Sequence, residues 1–423
     1  MSQRMSATLQ MLLLGLILSG GPRLLNAGDW PAFRGPAGNG LSDESGLPAK
    51  WSPSENVKWK VALPAGGNGS PIVSGGRVFT TYAEDKGRER SLVCYDRRDG
   101  RELWGRTVKV DRAYPTHNTN PYAGSTPVAD GKHVVVWHSS GGLYCYDFAG
   151  REVWKRDLGE FIHMWGYGTS PVLHEGRVLL HSGPGRRVFM AALSLETGKT
   201  VWEQVEPQEG NGERNPDNKY MGSWSAPLLA NVAGKWQVIV GWNTRVVGYD
   251  VNTGAILWTC DGLRGRKGDL CYSTPLVADD TCVVFGGFNG PAFAFKLGGT
   301  GDVSDTKLWA TEPSPQSIGS GVFLGKHIYR PNAGGPTTIE CLEAETGKVL
   351  WSQKAGTYWS SIVSGDGHLY VTSQSGTTTV FEPSPDGFKK IAVNALGERT
   401  NSTPALSDGN IFLQTYEHLY CIE

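Results

Sequence analysis

A glycine followed four residues later by a tryptophan recurs along this sequence, as Gly100 to Trp104, Gly150 to Trp154, Gly198 to Trp202, Gly254 to Trp258 and Gly347 to Trp351. Gly387 to Ile391 keeps the spacing without the Trp. Each motif closes a unit that opens on Ser-Pro or a variant of it. The openings stand at Pro71, Pro127, Pro171, Pro227, Pro275, Gly321, Ile362 and Pro404, 41 to 56 residues apart. Within a unit, short β-branched and aromatic runs alternate with Gly, Asp and Pro turns, which excludes helical solenoids and fits a four-stranded propeller blade. In Glu345-Thr346-Gly347-Lys348 the Gly supplies the positive φ of a hairpin turn, and the Trp four residues on enters the outer strand. There it fills the gap between neighbouring blades. Trp59, Trp104, Trp154, Trp202, Trp258, Trp309 and Trp351 are the expected docking residues, each worth a few kcal/mol of buried ring.

The last unit, Pro404 to Glu423, holds only enough chain for three strands. Val57-Lys58-Trp59-Lys60-Val61 reads as an outer strand with no unit before it. Together they predict an all-β, eight-bladed β-propeller of four-stranded antiparallel blades, Trp-docked, in which an N-terminal outer strand completes the C-terminal blade and leaves no open seam. The propeller spans 57–423, with 28–56 as an extended leader. Residues 1–27 read as a signal peptide: Arg4 precedes an apolar run from Leu9 to Leu18, and Leu25-Asn26-Ala27 suits cleavage before Gly28. Gly21 stands where a lipoprotein signal would need its acylated Cys. No later stretch is apolar for the length of a membrane span, so the expected location is exported, periplasmic or envelope-associated.

The units 342–351 and 193–202, reading LEAETGKVLW and LSLETGKTVW, resemble the Trp-docking repeat of the pyrroloquinoline-quinone (PQQ)-like eight-bladed propellers. The leader DWPAFRGP at 29–36 resembles the opening of exported PQQ-like repeat proteins of planctomycete-type bacteria. This resemblance implies fold more than activity, because the superfamily includes quinoprotein dehydrogenases and a non-enzymatic propeller of outer-membrane-barrel assembly. A dehydrogenase of this kind is expected to carry adjacent cysteines over the quinone, a Trp beneath it, a Glu/Asn/Asp calcium set and a catalytic Asp. None of the seven cysteines here is adjacent to another, and Asp269 is the one acid nominated for a catalytic channel role. Loop carboxylates more often cap turns.

Cys94, Cys145, Cys341 and Cys421 share one strand position in four units, which suits a small buried residue. Cys260 and Cys271 flank a single loop, and a disulfide between them is weighed equally against two separate thiols. His117 and His163 lie on longer loops before a unit opening, without a carboxylate or Cys at ligand spacing, so no metal site is expected. The sequence has no HExxH, Gly-x-Ser-x-Gly or P-loop motif.

The segments just before the innermost strands emerge on one face around the channel. They carry Asn68, Tyr122, Trp165, Tyr167, Tyr220, Trp224, Tyr272, Tyr358, Trp359, Arg399 and Asn401. Amphipathic rings with amides suit either a recognition surface or a plug of the channel mouth. A net charge of −1 gives no footing for nucleic acid or an anionic membrane. The expected function is an exported, non-catalytic binding or scaffold module, monomeric, with a protein or glycan ligand on that face and no cofactor. The alternative is a PQQ- and calcium-dependent alcohol or sugar dehydrogenase.

Overall fold

The computed structural model describes residues 28–206 and 212–423. The signal-peptide segment 1–27 lies outside the described residues. Every unit opening is followed at once by an innermost strand: Ile72–Ser74, Val128–Ala129, Val172–His174, Leu228–Val232, Leu276–Ala278, Val322–Leu324, Val363–Gly365 and Ala405–Ser407. Each begins an antiparallel meander, giving eight blades numbered here 1 to 8 in that order. Val57–Ala62 pairs antiparallel with His418–Ile422 as the outer strand of blade 8. The first and last of the described strands therefore lie in one sheet, as the sequence predicted.

The docking rule is more specific than a Trp filling a gap. Nε1 of Trp59, Trp104, Trp154, Trp202, Trp309 and Trp351 donates to a backbone carbonyl of the next blade, at 3.0, 3.0, 2.6, 3.0, 2.8 and 2.8 Å. Five of these rings lie directly on the turn glycine of that next blade, at Gly100, Gly150, Gly198, Gly254 and Gly347. The glycine thus provides both the turn and the floor on which the neighbouring indole rests. Trp258 differs. Its Nε1 donates to Gln237 Oε1 at 2.7 Å within its own blade, because blade 5 lacks the glycine motif at that turn. The longer blade 5 connection instead adds Gly301–Asp302 as a parallel fifth strand beside Trp258 and Thr259, a departure from uniform four-stranded blades.

Across each sheet the residue paired with a docking Trp is small: Cys94, Cys145, Ala192, Gly248, Ala294, Cys341 and Cys421. That register accounts for the recurrent cysteines. The junction between blades 7 and 8 has Ile391 in place of Trp, and the leader covers it. Trp51 N–H donates to Asn394 Oδ1 at 3.1 Å, Asn394 Nδ2 donates to the Ala49 carbonyl at 2.9 Å, and the Trp51 ring is buried with Leu396 and Leu406. Earlier, the leader crosses the inner strands themselves. Trp30 bridges Val73 of blade 1, Pro31 accepts from Ala129 of blade 2, and Leu41 bridges Ser364 of blade 7. No helix among the described residues is long and apolar enough to cross a membrane.

Candidate functional site: an axial cavity with an aromatic wall

The residue two before each innermost strand carries a hydroxyl in seven of eight blades: Ser70, Thr126, Ser170, Thr274, Ser320, Ser361 and Thr403, with Ala226 in blade 4, and all but Thr274 line the axial cavity. These residues are linked from blade to blade. The backbone N–H of Thr403 donates to Ser70 Oγ at 2.9 Å, Ser70 to Thr126 Oγ1 at 2.9 Å and Thr126 to Ser170 Oγ at 3.0 Å. On the other side Thr274 donates to Ser320 Oγ at 2.9 Å, Ser320 to Ser361 Oγ at 3.0 Å and Ser361 to Thr403 Oγ1 at 2.9 Å. The belt is interrupted at Ala226, and Thr274 Oγ1 is left without a partner.

Above the belt opens a cavity of about 360 Å³, in the range of small-ligand sites. Of the eleven residues expected on this face, Asn68, Trp165, Trp224, Tyr272, Trp359 and Asn401 line it. The aromatic ones on blades 3 to 5 form a continuous wall. Trp165 lies 5.8 Å from Trp224 and 5.3 Å from Phe288, and Trp224 lies 5.4 Å from Tyr272. The amides form the opposite side and bind one another. Asn68 Nδ2 donates to Asn120 Oδ1 at 3.0 Å, Asn401 Nδ2 to Asn68 Oδ1 at 2.9 Å and Asn120 Nδ2 to the Trp165 carbonyl at 2.7 Å. This network fixes the loops and keeps the aromatic wall open.

The other five expected residues sit outside the cavity lining. Tyr122 packs on Gly87, and the buried Tyr167 donates to the Tyr122 carbonyl. Tyr220 packs tilted against Trp165 at 4.7 Å, Arg399 lies over Tyr416 at 5.2 Å, and Tyr358 is buried in the core between blades 6 and 7. Sequence reading missed Phe33, Asn120, Phe288 and Gln316. Phe33 comes from the leader, and Phe288 from a hairpin within blade 5, held at a left-handed φ of 49°. A φ in that region is costly for a bulky residue and marks a site held by its surroundings.

Asp269 lies outside the cavity as well. Tyr220–Ser223 and Gly268–Cys271 form an unexpected parallel ladder, in which Asp269 is 2% exposed opposite Met221. It accepts from Asn215 Nδ2 at 2.9 Å and Arg264 Nη1 at 3.3 Å, so it ties two loops together. Cys260 and Cys271 are separate buried thiols, the second of the two equally weighed alternatives. Cys260 is held in the outer strand of blade 4 and Cys271 in this ladder against Gly241. Desolvation pushes both thiols up to about 12. His163 is buried behind the wall, with Nε2 3.1 Å from the Met221 carbonyl and Nδ1 accepting from Trp165 N–H at 3.1 Å. Burial lowers its pKa, and with both nitrogens engaged it has no lone pair for a metal. His117 does line the cavity, 2.8 Å from Thr119 Oγ1. Among the described residues the one group with metal-ligand spacing is Glu398, Glu417 and His418 in blade 8, where Tyr420 and His418 already occupy Glu398 Oε1 at 2.6 and 2.9 Å.

The cavity lining contains no Asp, Glu, Lys, Arg or Cys. Calcium needs several oxygen ligands, usually with carboxylates among them. The residues present do not fit a calcium-bound quinone. They do fit a largely apolar body, held by rings and met by hydroxyls.

The family model described as outer membrane protein assembly factor BamB matches residues 88–353 and 335–421. No curated protein matches the sequence. Among solved structures, BamB from Moraxella catarrhalis is similar at 14% identity and a TM-score of 0.58, over 86% of this chain and 96% of that one. Quinohemoprotein alcohol dehydrogenase from Comamonas testosteroni is similar at 13% identity and a TM-score of 0.66, over 93% and 80% of the two chains. The quinohemoprotein alcohol dehydrogenase ADHIIG from Pseudomonas putida HK5 is similar at 13% identity and a TM-score of 0.62, also over 93% and 80%. At such identities the likeness is one of fold.

Proposed function

The chain belongs to the PQQ-like propeller family described as outer membrane protein assembly factor BamB, and from that premise we propose that it is an exported binding module of the cell envelope, acting by recognition in its axial cavity. One observation carries this reading. Trp165, Trp224, Tyr272, Phe288 and Trp359 converge on one cavity, and no acid, base or thiol lines it except the solvent-exposed His117. Rigid aromatic anchors held by a satisfied polar network are the pattern of recognition sites. The family's description favours a protein partner over a soluble cofactor.

The test is a titration of the exported chain with candidate ligands, followed by Trp fluorescence and thermal shift. PQQ with calcium is included as the competing case. Saturable binding lost in Trp165→Ala and Trp359→Ala, with the melting temperature kept, supports the reading. Dye-linked alcohol oxidation on adding PQQ and calcium would replace it with the dehydrogenase, and unfolding of both variants would make the rings a structural plug.

A further inference from the structure

Six hydroxyls line the lower part of the cavity: Ser70, Thr126, Ser170, Ser320, Ser361 and Thr403. Each oxygen already accepts a backbone N–H from the neighbouring blade. Among the described residues, none of the six gives its own proton to a protein acceptor. A serine or threonine hydroxyl has one proton to donate, so the belt fixes the oxygens in place and leaves a ring of O–H donors facing the axis.

Beside the belt, behind the backbone of blade 6, is a cation without a counter-ion. Arg34 follows Phe33, which lines the cavity, and is 1% exposed. Its Nη2 donates to the Asn39 carbonyl at 2.7 Å and to the carbonyl of Gly321, the residue after Ser320 of the belt. Its Nε and Nη1 have no partner, and among the described residues no carboxylate pairs with it. Desolvation brings the guanidinium down to about 9. Its backbone is also left-handed, at φ 62°. A buried charge is normally paired, and one that is buried, unpaired and backbone-strained points to function.

We propose that the cavity binds an organic carboxylate end-on, with an apolar or aromatic body against Trp165, Trp224 and Tyr272 and the carboxylate among the belt hydroxyls on the Ser320 side, nearest Arg34. This rests on reading the cavity as a binding site and adds the class of ligand. The donor ring matches the acceptor-only chemistry of a carboxylate, and Arg34 supplies the field that favours one negative charge. The same group is presented by a small aromatic acid and by a peptide chain terminus ending in an apolar residue.

The experiment is calorimetric titration of the exported chain with phenylacetate and phenylacetamide, and with a short peptide ending in Phe as the free acid and as the amide. Each acid is expected to bind about tenfold more tightly than its amide, the order expected of charge-assisted hydrogen bonds. A peptide acid that outbinds phenylacetate identifies a chain terminus as the source, and the reverse order a small acid. Arg34→Gln should bring the acid down to the affinity of the amide. If that variant does not fold, Ser361→Ala with Thr403→Ala should narrow the same gap. Equal binding of acid and amide by the unaltered protein overturns the carboxylate while leaving the cavity a binding site. No binding of any of the four probes, or of any ligand in the Trp165→Ala comparison, removes the binding reading itself.

Discussion

Nε1 of Trp59 donates to the carbonyl of Arg97 at 3.0 Å, and its ring covers Gly100 so closely that a Cβ there would stand 2.7 Å from Trp59 Cε3. Trp59 lies ahead of blade 1 in the chain but belongs to the sheet of blade 8, so this contact locks the ring shut. The belt bond from Thr403 N–H to Ser70 Oγ crosses the same seam at the axis. The closure is therefore held at both its outer and its inner radius.

Gly100→Ala should destabilise the protein by about 2–3 kcal/mol, through the clash with Trp59 and a φ of +72°. Gly131→Ala carries the same kind of φ, +88°, with open space around its Cβ, and should cost only about 1 kcal/mol. Urea unfolding of the two variants measures the difference. Equal losses would mean that the indole-on-glycine contact contributes nothing to closure.

The recurrent cysteines follow the same geometry. Cys94 and Cys145 stand opposite Trp104 and Trp154 across their sheets, and desolvation pushes both thiols up to about 12. They should be inert and replaceable by another small residue. Cys145→Ala is expected within about 1 kcal/mol of the parent, whereas Cys145→Leu overpacks the sheet and should lose about 1–3 kcal/mol. An aromatic disulfide reagent should find no reactive thiol in the native protein and all seven cysteines after unfolding in denaturant. A fast native reaction would contradict the packing.

Much of the fold was legible in the sequence because its determinants are local and repeated. The eight unit openings each precede an inner strand by one residue, and the Gly-to-Trp spacing marks five of the hairpins with their outer strands. Legibility failed where a segment interacts across many blades. Phe33 reaches the axial cavity and Arg34 the backbone of blade 6 through the leader, and nothing in their own neighbourhood announces a propeller channel. Of the face residues, those two places before a belt position, namely Asn68, Trp224, Tyr272, Trp359 and Asn401, line the cavity. Tyr358, one residue short of that place, turns into the core between blades 6 and 7, and Arg399, two residues short of it, lies over Tyr416. Asp269 read as a channel acid because its neighbours in sequence include a unit opening. Its true partner is a distant loop that reaches it through the ladder with Tyr220–Ser223.

Asp269 is accordingly expected to matter for stability and not for ligand affinity. It accepts from Asn215 and Arg264 while 2% exposed, and Arg264 is itself 61% exposed at its side chain. Asp269→Asn keeps the shape and removes the charge, and should lower stability by about 1–3 kcal/mol. Dissociation constants for ligands of the axial cavity should not change. A variant of unaltered melting temperature that no longer binds would return Asp269 to the functional site.

Acid should destabilise this propeller well above the range in which carboxylates titrate. His138 and His181 are both buried, and desolvation is the leading cause that lowers them, to about 3 and about 4. His181 Nδ1 is 2.8 Å from the Ser225 carbonyl, and its ring is edge-on to Trp242 at 4.6 Å. In the unfolded chain each imidazole takes up a proton near pH ~6.5, whereas in the folded chain neither does until the lower values are reached. The unfolded state therefore binds more protons between these limits, and stability is complete above pH ~6.5 and falls as pH drops below it. The expected loss is about 1 kcal/mol per pH unit for each histidine. Urea midpoints between neutral pH and pH ~5 should fall for the parent and fall less for a variant carrying His138→Gln and His181→Gln. The same slope in both proteins would show that the two imidazoles are not kept neutral by the fold.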